Sequence, residues 1–392
     1  MTDISPAAPT VPAAMHHPVH VPSRFTKRMR IRFTGSGSEY FRIWIVNLLL
    51  TVVTLTLYLP WARARRLRYF MGNTLVGGQP LGFHGDPRKM FRGYLLVATF
   101  FALYSVAGKF SSTAGFIALL AVAALWPALF KSSLQFRLAN TSWRGLRMGF
   151  SGSLGGAYRA MLPVFVPGLI LVGAQSWGVD VAHPPQWYLT VSGVVGLSAL
   201  LVSPWLYWNL KLYQHHHYTL GTLQTTFTAS VGSFYRLSLK VLGLALLALV
   251  VPMALAIIAI AWWAPQGSWV PLLVSAVPLL MVLLMLVSIK PFAVSRLQNL
   301  VWSKTGSAEL RFDSKLRFRS LLRLTVKNWL LIVLTLGLYW PFAAVAMTRL
   351  RLQAMVIKTR TDPNLLMAHV HATAVEAVGD AAGDFFGLDV GL

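Results

Sequence analysis

The sequence predicts an all-α polytopic membrane protein built from internal repeats, with small β-hairpins on its cytoplasmic side. The chain has 56% hydrophobic and only 12% charged residues, against about 25% charged in soluble domains. Several apolar runs reach the roughly 20 residues that a helix needs to cross about 30 Å of hydrocarbon. They alternate too weakly for membrane β-strands. In addition, pieces of the stretch from Phe33 to Gly85 recur four more times.

Composition divides the chain into a tail, a repeated transmembrane domain and a second tail. Residues 1–22 are rich in Pro, Ala and His and lack an apolar signal core, which predicts disorder rather than targeting. Residues 23–360 form the repeated domain, and residues 361–392 form an acidic tail. The domain contains about eight apolar spans, near residues 43–62, 91–108, 113–130, 158–173, 187–208, 241–263, 269–289 and 328–347.

The distribution of Lys and Arg predicts the orientation of these spans. Links within the three middle pairs of spans carry little positive charge, whereas the segments between pairs are basic, so the pairs are hairpins with outward-facing tips. The first and last spans have basic residues on both sides. In the preferred interpretation both are complete crossings, giving eight crossings with the termini outside. Alternatively both are re-entrant, giving six crossings with the termini inside, and Pro60, Gly337 and Pro341 fit such a break.

The repeat is clearest at the prolines that end apolar spans. Each of five prolines closes an apolar run and opens a basic one: Pro60, Pro127, Pro204, Pro291 and Pro341. Connecting segments such as T-L-V-G-G-Q-P-L-G-F carry glycine turn signals between short mixed runs, which is typical of β-hairpins. With the strand-like M-R-I-R-F-T before the first span, they predict a small cytoplasmic sheet. Unstructured basic loops are the alternative.

The motifs of the first unit resemble those of a known family. They are F-x-G-x-G-x-x-Y-F, N-x-L-L-T-x-x-T-L-x-L-Y-x-P-W-A, a basic R-Y segment and N-x-x-x-x-G-x-x-F. On these residues the chain resembles the YjgN-type family of bacterial inner-membrane proteins, a domain of unknown function, from about Phe25 to the end. The resemblance implies a multi-pass protein of the bacterial inner (plasma) membrane and implies no activity. Thr56 departs from the pattern, which favours Gly there as at Gly337, and this weakens the case for a glycine break in the first span.

Few polar groups lie within the spans. All eleven carboxylates lie outside them and no Lys, Arg or His lies at mid-span, which argues against a proton- or cation-coupled pump. Asn47 and Asn328 precede the same motif in the first and last spans. With Thr335 they are the candidate in-membrane polar residues of a repeat-built transporter. Hydrogen bonding between helices, as part of packing, is the alternative and the preferred interpretation.

Basic segments supply the second candidate site. Anionic lipid headgroups are the expected ligands of Arg63, Arg65, Arg66 and Arg68, although the positive-inside rule accounts for these residues too. A further hypothesis docks the acidic C-terminal tail on this basic face.

No enzyme, cofactor or metal site is predicted. The chain has no Cys, consecutive side chains at His215, His216 and His217 do not converge, and Ser151 in G-F-S-G has no activating His within a span. Nucleic acid is not an expected partner, because the basic residues lie at the ends of apolar runs.

Two functions remain open. The first is a transporter or channel for a neutral or anionic solute. The alternative is a non-transporting membrane scaffold that binds lipid headgroups or a protein partner through its cytoplasmic basic hairpins. A polar cavity at mid-depth favours the first, and a dry helix core favours the second.

Overall fold

A computed structural model of the chain describes residues 27–180, 182–263 and 270–360, with residues 362, 364, 365, 368 and 370. The predicted tail 1–22 and most of residues 361–392 therefore lie outside the described residues. The described helices are α1 (Gly37–Val53), α2 (Leu59–Gly72), α3 (Pro87–Phe110), α4 (Ser112–Ala139), α5 (Leu154–Gln175), α6 (Gln186–His216), α7 (Val231–Trp263), α8 (Val270–Ser303), α9 (Phe318–Leu334) and α10 (Trp340–Gln353). The described strands are β1 (Lys27–Phe33), β2 (Thr74–Val76), β3 (Gln79–Phe83), β4 (Thr141–Trp143), β5 (Leu146–Phe150), β6 (Tyr218–Leu220), β7 (Leu223–Gln224), β8 (Thr226–Phe227), β9 (Thr305–Gly306), β10 (Leu310–Ser314) and β11 (Met355–Thr359).

Six helices, α3 to α8, are long and apolar enough to cross a membrane. They contain 22 to 34 residues, which corresponds to about 33 to 51 Å. These helices contain the six middle spans of the sequence prediction and extend beyond them at the ends that meet the sheet. The chain is therefore mostly helical and polytopic, as predicted.

Every helical hairpin leaves the sheet and returns to it at a pair of directly opposed residues on two antiparallel strands. In the first hairpin Phe33 pairs with Thr74, and the next main-chain N–H, of Thr34, donates to the carbonyl of Asn73 at 2.9 Å. Four more pairs close the other hairpins in the same way: Phe83 with Thr141, Phe150 with Tyr218, Phe227 with Thr305, and Ser314 with Met355. We call each hairpin a unit and the first residue of each pair its start residue. In all five units the first helix begins four residues after the start residue.

The first and last apolar spans are not continuous helices. The predicted span 43–62 is divided into α1 and α2 by a turn at residues 54–58, and the predicted span 328–347 is divided into α9 and α10 by a turn at residues 335–339. The halves contain 17 and 14 residues, so they reach only about 21 to 26 Å before the chain turns back. Because both ends of each hairpin join the sheet, these two units have the geometry of re-entrant hairpins. The preferred expectation of two complete crossings is not confirmed.

The turn at each short hairpin tip uses left-handed backbone at two consecutive residues. Leu55 and Thr56 have φ of 47° and 74°, and Leu336 and Gly337 have φ of 48° and 93°. The two turns are therefore alike although only the second contains Gly, so the departure at Thr56 does not prevent the break. Leu55 is 84% exposed and Leu336 is 95% exposed, which gives both tips an apolar surface.

The strands form one sheet that closes on itself. Its order is β7-β6-β5-β4-β3-β2-β1-β11-β10-β9-β8, and the two strands at its ends, β7 and β8, flank Thr225 in the chain. They form one bent strand that pairs with β6 before Thr225 and with β9 after it. The sheet is thus barrel-like and larger than the predicted small set of hairpins. Glycine turns do connect β2 to β3 and β4 to β5, as expected.

The helices also form a closed series above the barrel. Each helix packs against its predecessor and its successor in the chain, and α10 packs against α1. The two short hairpins are consequently neighbours in this series, and the three long hairpins complete it. The two short hairpins extend less far from the sheet than the three long ones, so one side of the helical series is shorter than the rest.

We expect the first short hairpin to place β1, which precedes it, and the β2–β3 hairpin, which follows it, on the same side of the membrane. The chain has no native Cys, so Arg28→Cys in β1 and Gln79→Cys in β3 can be labelled separately with a membrane-impermeant maleimide. Both should react only after the membrane is permeabilised, whereas Gly178→Cys between α5 and α6 should react in intact cells. Reaction of the two strand positions from opposite sides would show that α1 and α2 form a complete crossing.

We expect Gly337→Val to destabilise the protein by about 1 to 3 kcal/mol, because a β-branched residue is strained at a φ of 93°. Thr56→Gly is the matched control. It relieves strain at the other tip but loses the 2.9 Å hydrogen bond between the Thr56 and Tyr94 hydroxyls, so the two effects should offset each other to within about 1 kcal/mol. Unfolding midpoints of the purified proteins in detergent provide the measurement. An unchanged midpoint for Gly337→Val would contradict the turn geometry.

Candidate functional site

The barrel interior is filled with apolar side chains. Met29, Ile31, Trp143 and Ile357 are buried in one cluster, together with Val76, Leu146, Met355 and Val370. Further apolar side chains from β3, β6, β7 and β10 pack on it, and so do Trp302 of α8 and Leu352 of α10. The indole N–H of Trp143 donates to the carbonyl of Val76 at 3.1 Å, so the polar atom within this core is satisfied. Apolar packing fills the barrel where an aqueous path along its axis would run.

A short part of the C-terminal segment closes the barrel at the end formed by the strand turns. Val370 is fully buried in the barrel core, and a side chain added at Gly221 of the β6–β7 turn would clash with it. Arg144 of the β4–β5 turn donates to the side-chain oxygen of Asn364 at 2.7 Å. Asn364 and Val370 therefore contact the barrel through one hydrogen bond and through apolar packing, whereas the predicted docking of the acidic residues on the basic face stays a prediction. The acidic residues that follow lie outside the described residues.

The two in-membrane asparagines occupy the same position in the two short hairpins. Each lies ten residues after the first residue of its helix, Asn47 in α1 and Asn328 in α9. Asn47 is 8% exposed and Asn328 is 4% exposed. The side-chain oxygen of Asn47 and both polar atoms of the Asn328 amide have no hydrogen-bond partner within the described residues. They do not bond to each other, and neither borders the cavities described below.

Thr335 stabilises the turn of the last hairpin. Its hydroxyl donates to the carbonyl of Leu331 at 2.6 Å and accepts from the main-chain N–H of Tyr339 at 3.0 Å. Thr54 makes the same two bonds in the first hairpin, to Leu50 and from Tyr58. The Thr335 hydroxyl therefore uses both its donor and its acceptor capacity on main-chain groups at the tip. These contacts give Thr335 a structural role.

One cavity lies between α3 and α4 and another along α9, and neither of these two is a polar chamber. The first, between α3 and α4, is about 10 Å³ and is lined by Val97, Phe100, Phe101, Val122, Leu125, Trp126 and Leu129. The second is an open groove of about 600 Å³ along one face of α9. Arg323 and Lys327 lie nearer the start of the helix in this groove, and Leu330, Leu331 and Leu334 lie nearer its tip. The α9 groove therefore changes from basic to apolar along the helix.

The four arginines predicted to bind headgroups are all exposed on α2. Arg65 lies over the ring of Tyr58 and Arg66 over the ring of Phe70, each at 5.7 Å. Arg68 donates to the carbonyl of Gly85 at 3.1 Å, which ties α2 to the segment before α3. Arg63 is exposed. The segment presents positive charge at the surface, and Arg68 also has a packing role.

Carboxylates compensate little of the positive charge. The chain contains 35 Lys and Arg residues against 11 Asp and Glu residues. Lys358 of β11 and Asp313 of β10 do pair, at 2.7 Å, and the hydrogen bond from Lys358 holds the pKa of Asp313 below its ordinary value. Asp313 remains ionised at neutral pH and stabilises the pairing of these two strands.

The three consecutive histidines point to different partners. His215 Nδ1 lies 3.1 Å from the hydroxyl of Thr305, whereas His217 Nδ1 lies 2.9 Å from the carbonyl of Tyr213. His216 Nδ1 lies 3.4 Å from the main-chain N of Phe227. Among the described residues, no group of three or more His, Asp or Glu side chains is placed to hold a metal. The hydroxyl of Ser151 contacts only a main-chain carbonyl, that of His217 at 3.4 Å.

The sequence analysis did not identify one position that carries the same residue in all five units. Nine residues after the start residue, every unit has an arginine: Arg42, Arg92, Arg159, Arg236 and Arg323. A signal was present, because the entry segments F-T-G-S-G-S-E-Y-F-R, F-S-G-S-L-G-G-A-Y-R and F-T-A-S-V-G-S-F-Y-R all end in Arg. The arginines of α3 and α9 become equivalent to these only once the strand pairing defines where each unit starts.

Comparison with known proteins gives one family and several relatives. The family described as "Bacterial protein of unknown function (DUF898)" matches residues 28–385. The chain is 34% identical to the inner membrane protein YjgN of Salmonella typhimurium over 140 residues, which cover 34% of this chain and 35% of that protein. It is 31% identical to the inner membrane protein YjgN of Escherichia coli O157:H7 over 142 residues, which cover 36% and 35% of the two chains. The matched part thus spans about a third of these curated relatives, and no solved structure matches the chain.

We expect Asn328→Leu to stabilise the protein by about 1 kcal/mol, because it replaces a buried amide that lacks hydrogen bonds with an apolar side chain of similar size. Asn299→Leu is the matched control. The Asn299 amide donates to the carbonyl of Leu316 and accepts from its N–H, so its loss should cost about 1 to 3 kcal/mol. Detergent unfolding curves compare the two. Destabilisation by Asn328→Leu equal to that by Asn299→Leu would show that the Asn328 amide has a bound partner.

Proposed function

The chain belongs to the DUF898 family of bacterial proteins of unknown function, and from that premise we propose that it is an inner-membrane scaffold that binds anionic phospholipid headgroups. Its curated relatives are named inner membrane proteins, and its six long apolar helices agree with a multi-pass protein of the bacterial inner membrane. The proposal concerns what the protein does in that membrane. It assigns the protein a lipid-binding role without solute transport.

We assign the barrel to the cytoplasmic side. All five units begin and end at the sheet, so the basic segments between the helices lie on one side of the bilayer. Positive charge in short loops is retained in the cytoplasm. The topology is then six crossings with two re-entrant hairpins, and both the N-terminal strand β1 and the C-terminal strand β11 are cytoplasmic. Duplication of one ancestral unit accounts for the five similar closures.

The packed barrel interior is the observation that supports binding over transport. A solute passing along the axis would have to displace Trp143, Trp302 and the apolar side chains around them. Close-packed apolar cores exclude water and have few voids as large as a water molecule. The exposed basic residues of the helices next to the barrel, by contrast, are available to the negative surface of the cytoplasmic leaflet, at about 1 kcal/mol per near-surface charge.

A carrier for a neutral or anionic solute is the second candidate. The unpaired amide of Asn328 and the unpaired side-chain oxygen of Asn47 favour it, because polar groups buried in a membrane usually have partners. Their equivalent positions in adjacent hairpins resemble the symmetry-related polar groups of repeat-built transporters. In this alternative a small solute would bind between the two short hairpins.

Thermal unfolding of the full chain in phosphatidylglycerol and in phosphatidylcholine nanodiscs tests the proposal. We expect phosphatidylglycerol to raise the unfolding midpoint, because a ligand at ten times its Kd stabilises the folded state by about 1.4 kcal/mol. Reconstituted vesicles should show no glycerol or chloride flux above that of protein-free vesicles. Equal midpoints in the two lipids would refute headgroup binding. Flux that is abolished by Asn47→Leu and Asn328→Leu would establish the carrier instead.

A further inference from the structure

Five arginines occupy one structural position. Each lies nine residues after the start residue of its unit and five residues after the first residue of its helix: Arg42 in α1, Arg92 in α3, Arg159 in α5, Arg236 in α7 and Arg323 in α9. They therefore lie at a similar height above the barrel, about 7.5 Å from the start of each helix. Together they surround the helical bundle at one level.

Neighbouring positions do not share this charge. Six residues after the start residue the five units have Glu39, Lys89, Gly156, Ser233 and Ser320. Lys and Arg together make up only 35 of 392 residues, so arginine at all five equivalent places is not explained by composition. The positive-inside rule requires basic residues near helix ends but does not specify one position within the helix. A requirement specific to this position therefore accounts better for the five arginines.

The arginines face away from the protein. The position two residues earlier is buried in four of the five units, at Tyr40, Ala157, Phe234 and Leu321. Two residues correspond to about 200° around a helix, so the arginine lies on the opposite face. All five arginines are exposed.

The same helix faces carry the apolar surface that contacts lipid. Eleven residues, about three helical turns, after each arginine lies an apolar side chain that is between 45% and 79% exposed: Val53, Leu103, Ile170, Leu247 and Leu334. An exposed apolar residue on a membrane helix faces the acyl chains. The arginine on that face, nearer the barrel, must then lie where the acyl chains end and the headgroups begin.

Within the described residues, none of the five guanidinium groups pairs with a carboxylate. Arg236 donates to a carbonyl of its own helix, that of Gly232, at a long 3.4 Å. A charged side chain at the membrane boundary extends toward the headgroups, where its charge is solvated. Guanidinium matches a phosphate with two parallel hydrogen bonds, which an ammonium group does not provide.

Resting on the headgroup binding proposed above, we propose that these five arginines, here termed the arginine collar, are the binding sites for the phosphate groups of anionic phospholipids. Each unit supplies one site. The headgroup phosphate binds the guanidinium, and the acyl chains lie along the exposed apolar side chains of the same helix.

The α9 groove shows the complete form of such a site. Arg323 and Lys327 provide two positive charges at its basic end, and Leu330 and Leu334 continue the same face toward the hairpin tip. The wall of the groove is apolar and suits an acyl chain, and the two charged side chains stand at the end where the headgroup would lie. Lys240 of α7 stands four residues after Arg236, as Lys327 does after Arg323, so each of these two units has a second positive charge on this face.

Competition between two lipids, followed by native mass spectrometry, tests the arginine collar. The full chain in detergent is mixed with equimolar phosphatidylglycerol and phosphatidylcholine, and the lipids that remain bound are counted. We expect the wild type to prefer phosphatidylglycerol by about fivefold at each site. Arg→Gln at all five collar positions should abolish the preference, and Arg→Lys at all five should preserve most of it. Excess inorganic phosphate should not displace the lipid.

A matched control removes the same charge elsewhere. Arg28, Arg30, Arg32, Arg147 and Arg311 are exposed on the strands, and Arg→Gln at these five should leave the preference unchanged. If the collar variant keeps the wild-type preference while Arg→Gln at Arg63, Arg65, Arg66 and Arg68 removes it, the collar is overturned and headgroup binding stands. If the wild type itself shows no preference, both proposals fail.

If the variant with Arg→Gln at all five collar positions does not fold, single variants test the arginine collar. Each single Arg→Gln change in the collar should lower the maximum number of bound phosphatidylglycerol molecules by one. An unchanged maximum in all five would overturn the collar. Displacement of the lipid by inorganic phosphate would identify free phosphate as the ligand and would also overturn it.

Discussion

Antiparallel pairing at the base of each helical hairpin is the interaction on which the rest of the structure depends. At each base, the main-chain N–H that follows the first strand donates to the carbonyl of the residue that ends the returning helix, as Thr34 does to Asn73. The N-terminal N–H groups of the helices are capped separately, for example by the Ser36 side chain in α1. Pairing Phe33 with Thr74 and Ser314 with Met355 forces the first and last hairpins to return to the barrel. The same constraint brings all the connecting segments together at one end of the bundle.

The short hairpins show how a chain can turn back within an apolar region. Main-chain groups at a turn would be costly without partners, so Thr54 and Thr335 each accept a main-chain N–H and donate to a carbonyl. Apolar residues cover the outside of the turn. Two adjacent short hairpins leave one side of the helical series lower than the other, and the α9 groove, with Arg323 and Lys327, lies on that lower side.

Positively charged side chains lie on the outside of the barrel, away from its axis. Alternation along β1 directs Met29 and Ile31 into the apolar core and leaves Arg28, Arg30 and Arg32 exposed. Helix periodicity has the same effect in α1, where Tyr40 packs inward and Arg42 faces outward. Charge therefore accumulates on the circumference of the protein and not in its apolar core. The buried asparagines are the exception, since they keep polar atoms inside the short hairpins.

The apolar spans, the basic segments between them and the glycine turns of the hairpins were all predictable, because each depends on residues close together in the chain. The roles of the candidate residues were only partly predictable. The equivalent positions of Asn47 and Asn328 in the two outer spans could be read from the sequence, but the role of Thr335 in a turn depends on a backbone reversal that apolar composition does not reveal. The equivalence of the five arginines was hidden, since Ser314 and Phe33 are related only through their strand partners.

By itself the sequence determined that the chain is helical, embedded in a membrane and basic on one side, since hydropathy and charge act locally. Tertiary structure alone decided that the first and last spans turn back, that Lys27 pairs with Thr359 to join the two ends of the described chain, and that the arginines face outward. The physical reason is that a strand pair forms only with its partner strand, and a helix face is buried or exposed according to the element that packs against it. Here those partners lie up to 332 positions apart in the chain, as Lys27 and Thr359 do.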